Sequence, residues 1–567
     1  MRVDRRQTLK WLGVGAVTPA AASPVISSES HSSVRFHHGV ACGDPLADRV
    51  IIWTRPTPTG AERQGRLQGS WTVASDPQFR NVVAYGPFET GADRDFTVKI
   101  DVGGLRPGMD YWYRFQVGRG LSPAGRARTL PAGPVEDVVL AFATCANYQA
   151  GLFNAYAAIA RLERVDAVVH LGDYIYEEGA DHSSHNHTIG ERLGRFLEPA
   201  HEASTLADYR ARHALYKTDA DLQAAHARAP WICVWDDHEC ANDCWIGGSP
   251  DHRPKADGGW SERKAAAIRA YYEWMPIREP QQGHAFAAIN RSFQFGDLAS
   301  LIMLETRLTA RACQLSYETD LTFFDDKAGV RRPDMAAFRA RLDDSSRQML
   351  GARQEAWLAG ELQASVAAGR TWQMLGSQVV MAEVIAPDVK AALGEWLTSA
   401  VVAALPAEKR AQAGRMEQVF ATGSPYNLDA WDGYPAARER VYRMCRQARA
   451  NPLVLSGDSH AAWANTLLDA SGARVGVELG VTSVTSPGIC DYVPGLPVNR
   501  LIEQANPHIR FVDHGAKGFV RLTLRREEAL AELMALSTIQ SRTYDLAVQR
   551  SYRVSPGSGG EGPVFES

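Results

Sequence analysis

Three short runs, each closing a stretch of apolar residues, constrain this chain most. They are Gly-Asp-Tyr-Ile-Tyr at 172–176, Trp-Asp-Asp-His-Glu at 235–239 and Gly-Asp-Ser-His at 457–460. They follow 165–171, 231–234 and 453–455, and each of these reads as a buried strand. Ligands that leave the carboxyl ends of several strands of an α/β sheet converge in one crevice. Carboxylates, an imidazole and a phenolate gathered there make a hard, anionic pocket. Such a pocket holds oxophilic metal ions, and those ions can in turn hold a phosphate.

The 567 residues are enough for more than one domain, and 45% hydrophobic with 22% charged residues is ordinary for a globular chain. A net charge of -4 and a pI near 6.5 give no global electrostatic case for nucleic acid or an anionic membrane. No nucleic-acid-binding surface is therefore expected. Asp4-Arg5-Arg6-Gln7-Thr8-Leu9-Lys10 resembles the twin-arginine export motif, and a short apolar stretch from Trp11 leads to Ala20-Ala21-Ala22. Residues 1–23 thus read as a signal peptide, handled by the twin-arginine export machinery, for a periplasmic or secreted protein. No segment approaches about 18 consecutive apolar residues, so no integral membrane segment is expected. Cys240 and Cys244 flank the second run, and their spacing leaves both a bridge and free thiols open.

Residues 24–34 are Ser-rich and read as a linker. Residues 35–133 read as an N-terminal β-sandwich: short β-rich runs near 50–54, 70–73, 81–85 and 96–100 are separated by Gly, Pro and Asp. The passage 105–115 resembles the tyrosine corner of fibronectin-like and Ig-like sandwiches. From about 134 to 554, strand and helix patterns alternate, which predicts an α/β catalytic domain. Residues 383–434 are Ala-rich and read as a helical insertion, 530–536 as strand or helix, 181–187 as a solvated His-rich loop, and 555–567 as a frayed tail.

At the strand ends, Asp173 can bridge two metal ions and Tyr176 can reach one of them. Asp237 and His238 are adjacent, so one can ligate metal while the other faces substrate. Asp458 and His460 alternate with Ser459 and can point to one side. Cys145 closes another strand run, 138–143, and reads as a thiolate ligand or a buried structural cysteine. Arg307 closes a further one, where a guanidinium can fork onto phosphate oxygens or form an ion pair.

Taken together these runs resemble the alkaline phosphatase D (PhoD-like) family of metallophosphoesterases over nearly the whole chain. Phe142-Ala143-Thr144-Cys145, the runs at 170–177, 235–239 and 455–461, Trp431-Asp432-Gly433-Tyr434 and 481–488 all carry the resemblance, as does the opening at 38–45 with 52–55. Cys42 stands where Ser is more usual, and Glu305 where Asp is commoner. The resemblance implies a two-sheet metallophosphoesterase-type sandwich flanked by helices. It implies iron(III) held by Cys145, Asp173, Tyr176 and His460, with calcium near Asp173, Asp237 and Asp458. Thiolate and phenolate suit iron, and all-oxygen ligation suits calcium. The expected reaction is attack of a metal-acidified hydroxide on the phosphorus of a small phosphate monoester, with diesters left open. His238, positioned by a carboxylate such as Glu239, would protonate the leaving alkoxide, and Arg307 would hold a non-bridging oxygen. Two other readings share these residues: a phospholipase D-like phospholipid diesterase, and a non-catalytic periplasmic phosphate binder.

Overall fold

A computed structural model describes residues 34–59, 65–280, 282–329, 331–404, 416–558 and 561–566. The signal-peptide reading of 1–23 lies outside these residues. Among them, no helix is long and apolar enough to cross a membrane.

The apolar runs form parallel strands buried on both faces. Val138–Ala143, Ala167–His170 and Trp231–Cys233 pair in parallel at the centre of one sheet. Ala299–Met303, Trp372–Ser377, Pro452–Ser456 and Arg474–Gly480 pair in parallel in a second. Continuous apolar sequence, without alternation, is what a sheet covered on both sides requires. Phe142 and Val168 of the first sheet share one core with Leu301, Met374, Leu455 and Val477 of the second. Behind the second sheet, Gly351–Ala367 and Pro435–Ala448 bury Leu358, Leu362, Val441 and Cys445 against Ile302, Leu375 and Val454. The parallel strands of both sheets end at one edge, where the three polar runs lie.

The N-terminal strands fall where the β-rich runs predict, at Arg49–Thr54, Arg66–Ala74, Val82–Gly91 and Val98–Gly103. They divide between two sheets. Arg66–Ala74, Val82–Gly91 and Asp110–Val117 lie in a sheet of their own, whereas Val40–Gly43, Arg49–Thr54 and Val98–Gly103 extend the first catalytic sheet. The junction is Gly43, paired in parallel with Trp231. A side chain at Gly43 would bring a Cβ to 2.4 Å from the Trp231 carbonyl oxygen. The two N-terminal layers enclose Val50, Ile52, Val73, Tyr113 and Phe115. Tyr111 Oη accepts the Arg106 backbone N–H at 2.9 Å, tying the 105–115 passage back on itself.

Two expectations are corrected, and the two questions left open are decided. The tail is not wholly frayed: Val564–Phe565 pairs with Leu546–Ser555 at the sheet edge, and Phe565 is buried against Tyr552. The 181–187 segment is only in part a loop. Ser184–Leu193 is a helix whose N-terminus is capped by Ser183 Oγ, accepting from the Asn186 N–H at 3.3 Å. Cys240 and Cys244 are free and buried. The ambiguous 530–536 segment belongs to a strand, Ala529–Leu536.

Candidate metal centre

Each of four site residues takes an uncommon backbone conformation just past a strand end. Cys145, Asp173, Asp458 and His460 have φ of 57°, 55°, 63° and 54°. A non-glycine residue held there costs on the order of 1 kcal/mol and persists where its surroundings fix it. Here the surroundings are one link between the sheets and one between neighbouring strand ends of the first sheet. The Val484 N–H donates to Thr144 O at 2.9 Å, and the Cys145 N–H to Gly172 O at 3.3 Å.

Ligand-type atoms of Cys145, Asp173 and His460 lie within 4.8 Å of one another, as do those of Asp173, Asp236, Asp237 and Asp458. Asp173 belongs to both groups. Tyr176 joins the first: its hydroxyl donates to Asp173 Oδ2 at 3.0 Å and lies 3.3 Å from His460 Nε2. Ser486 Oγ donates to the Tyr176 oxygen at 2.7 Å. His460 Nδ1 lies 2.9 Å from the Pro487 carbonyl, which can only accept. The proton therefore sits on Nδ1, and the Nε2 lone pair faces the cluster.

His238 packs against Tyr176 with ring centroids 4.1 Å apart and the planes inclined by 32°. Its carboxylate partner is Glu177, with Oε2 at 2.7 Å from Nδ1, and this corrects the expectation of Glu239. Glu239 instead accepts the backbone N–H groups of Asp173, Tyr174 and Asp236 at 3.0, 2.5 and 2.7 Å, tying two strand ends together. Burial opposes a charge on His238, but Glu177, Asp237 and Asp173 outweigh it and raise its pKa well above the ordinary imidazole value.

Residues 140–533 match the PhoD-like phosphatase family, and residues 20–131 match the N-terminal domain of PhoD-like phosphatases. The chain belongs to the PhoD-like phosphatase family. It is 32% identical over 554 residues to alkaline phosphatase D of Bacillus subtilis (strain 168), covering 95% of this chain and 84% of that protein. The solved structure of PhoD matches with a TM-score of 0.74 and 31% identity, covering 95% of this chain and 94% of that one. This PhoD-like chain is thus a homologue of alkaline phosphatase D, a phosphoric ester hydrolase, built on a mixed α/β fold.

Within this PhoD-like site, Arg307 stands behind the carboxylates rather than over an opening. Its side chain is 0% exposed. Nε donates to Asp236 Oδ1 at 2.5 Å and Nη1 to Asp429 Oδ2 at 2.6 Å, while Nη2 lies 3.5 Å from Asp458 and 3.8 Å from Asp237. Two nitrogens of the fork expected for phosphate oxygens are bonded to carboxylates, while Nη2 is buried without a hydrogen-bond partner. Asp429 also accepts from Arg311, through its side chain and, at 2.7 Å, its backbone carbonyl. Glu305 holds the turn that carries Arg307, accepting the N–H groups of Arg307, Leu308 and Thr309 at 2.9, 2.6 and 2.9 Å.

The donor set fits cations. Asp173 Oδ1 and Asp236 Oδ2 are buried without a hydrogen-bond partner. Burial, then neighbouring carboxylates, pushes the Asp458 carboxyl well above the usual range. Burial also raises Asp173, although the facing His238 charge opposes the rise. Burial opposes the charge of Asp237 too, but Arg307 and His238 hold it below the usual range. Burial and Asp173 raise both the Cys145 thiol and the Tyr176 phenol. So many buried acids around one arginine carry their charges together only if further positive charge lies among them. Sulfur, phenol and imidazole converge on one side of Asp173; on the other are carboxylate oxygens, with a His238 ring nitrogen within 4.8 Å of Asp173 and Asp237.

The sequence singled out Cys145, Asp173, Tyr176, Asp237, His238, Arg307, Asp458 and His460, and all eight lie in this one region. It missed Asp236, Glu177, Asp243 and Asp429. Asp243 and Asp429 form a further acidic group with Asp237. Asp236 and Glu177 adjoin residues that were singled out, so adjacency was the available signal. Asp429 offered none: it lies in the segment read as a helical insertion.

Proposed function

We propose that the protein is an exported, metal-dependent phosphoesterase that hydrolyses small phosphate monoesters, and diesters as well. The observation that supports this most is Asp173, whose carboxylate is shared between a group with thiol and imidazole and a group of carboxylates. Cys145, Tyr176, His460 and one oxygen of Asp173 suit iron(III). Asp237, Asp458, Asp236 and the other oxygen of Asp173 suit calcium. Two such cations, when bound, would neutralise phosphate oxygens and acidify a water.

The remaining roles fall to the chain itself. Glu177 accepts from His238 Nδ1 and, with Asp237 and Asp173, keeps the ring doubly protonated, so Nε2 also carries a proton for the leaving oxygen. Arg307 is a positioning residue that holds Asp236 and faces Asp237 and Asp458. Buried Cys145 and Tyr176 exclude water from the inner side. Residues 35–133 extend the catalytic sheet at one edge and cover that extension with a second, Ig-like layer.

Elemental analysis of folded protein, paired with turnover of p-nitrophenyl phosphate and bis-p-nitrophenyl phosphate, tests the reading. Iron and calcium are expected near stoichiometry, with activity lost on chelation and restored by metal. Full activity in protein free of both metals would reject it. Export rests on Arg5 and Arg6. Replacing both by Lys should retain folded, active protein in the cytoplasm, and normal appearance of activity outside it would remove the signal assignment.

A further inference from the structure

The ligand set is closed on most sides. Cys145, Asp173, Tyr176 and Asp237 are buried, whereas the Asp458 side chain keeps 18% of its surface and Ser459 and His460 are partly exposed. A substrate therefore reaches the carboxylates past residues 458–460. Beside that opening lies a cavity of about 270 Å³ whose wall includes Asp458 and Ser459. Val380, Val384, Tyr426 and Trp463 supply most of the rest. We propose that this cavity receives the organic group of the phosphate ester and selects an uncharged group about the size of one ring. The proposal rests on the phosphoesterase reading and names its substrate class.

The lining argues for an uncharged group. Among the described residues, no Lys or Arg borders the cavity. Asp432, at its base, is neutralised by Arg438 Nη1 at 2.5 Å and accepts the Val384 N–H at 2.8 Å. An anionic substituent would therefore lose its hydration against apolar surface, with no cation among the described residues of the wall to offset the cost. Trp463 uses its indole N–H on Ser459 Oγ, at 2.9 Å, and His514 packs edge-on to it with centroids 5.5 Å apart. What the tryptophan offers a ligand is then apolar ring surface, matched by Tyr426 and the two valines. One polar handle remains. Asn427 Oδ1 accepts the Asp429 N–H at 2.9 Å, which leaves its amide N–H groups to donate to a hydroxyl or carbonyl on the ligand. The volume lies below the roughly 300–1,000 Å³ of sites for drug-sized ligands, so it suits one ring rather than a long chain.

Three esters test the proposal: methyl phosphate, an aryl phosphate with a neutral acetamido substituent, and one with a carboxylate, the two aryl groups matched in leaving-group acidity. The holoenzyme should favour the neutral aryl ester over the carboxylate ester by about tenfold or more in kcat/KM. Val384→Phe should lower the ratio of neutral aryl to methyl phosphate turnover by about tenfold or more. Val380→Lys should erase or invert the discrimination against the carboxylate, and it decides the matter if Val384→Phe does not fold. Equal use of both aryl esters by the wild type, or unchanged ratios in folded variants, would overturn the cavity assignment while leaving the phosphoesterase reading in place. Failure to hydrolyse any of the three esters would overturn both.

Discussion

His238 Nδ1 and Glu177 Oε2 stand 2.7 Å apart, although one residue follows Trp231–Cys233 and the other follows Ala167–His170. The contact fixes the ring and its proton together. A second anchor holds Glu177, whose Oε1 accepts the Asn242 N–H at 2.6 Å.

His238→Ala should keep its metals and lose about 10²–10⁴-fold in kcat on alkyl phosphates, with a much smaller loss on p-nitrophenyl phosphate. Glu177→Gln should show the same leaving-group dependence in weaker form. Steady-state rates across a leaving-group series check both. Equal losses at both ends of the series would remove His238 from proton donation.

Protein carrying iron should be coloured, because a phenolate bound to iron(III) absorbs visible light, and Tyr176→Phe should bleach or shift the band. A calcium-selective chelator should abolish activity reversibly and leave the colour, since oxygen ligands release calcium readily. Absorption spectra normalised to iron content give the answer. An unchanged spectrum in a variant with full iron would mean that Tyr176 is not a ligand.

Asp429→Asn should destabilise the fold by about 3 kcal/mol or more, because it removes the carboxylate that faces buried Arg311 and one of those that hold Arg307. Calcium content should fall while iron stays. Urea melts with metal analysis on the same samples test this, and a variant with wild-type stability would show that the two arginines do not depend on Asp429.

Lys217 gives a pH signature away from the metals. It is buried beneath Trp53, with Nζ 3.0 Å from Tyr174 Oη and 3.2 Å from His226 Nε2. Burial lowers its pKa from 10.5 to about 7. Between those values the unfolded chain binds a proton that the native protein does not, so this group makes stability rise with pH. Its penalty is greatest below about pH 7 and fades toward pH 10.5, reaching on the order of 4 kcal/mol. Lys217→Met should therefore be the more stable protein at pH 7, with the gap narrowing by pH 10. Denaturant melts at three pH values decide it, and parallel curves would sink the argument.

The strand ends were legible because a buried parallel strand and its ligand are neighbours in the chain. Asp173 follows Ala167–His170, and Asp458 follows Pro452–Ser456. The pairing of His238 with Glu177 rather than Glu239 was not legible, since both carboxylates lie close to site residues in sequence and only the packing of two loops chooses between them. Arg307 was placed at the site but given to phosphate, because the sequence does not show that Asp236 and Asp429 take two of its three nitrogens. The left-handed backbone at Cys145 and Asp173 carries no glycine to announce it. The division of the N-terminal strands between two sheets depends on Gly43 meeting Trp231, a contact across nearly 190 residues that no local pattern encodes.

That last contact changes what a cut near residue 134 would do. Removing the N-terminal part would not free a tethered accessory unit. It would split a continuous sheet along Trp231–Cys233, the strand that carries Asp236, Asp237 and His238 to the site. The new border would be a bare row of backbone donors and acceptors, open to pairing with other chains. The first casualty should be the aim of His238, so a shortened protein could retain iron on the inner side of the site and still fail as a catalyst. The N-terminal strands therefore act as a splint for the catalytic edge.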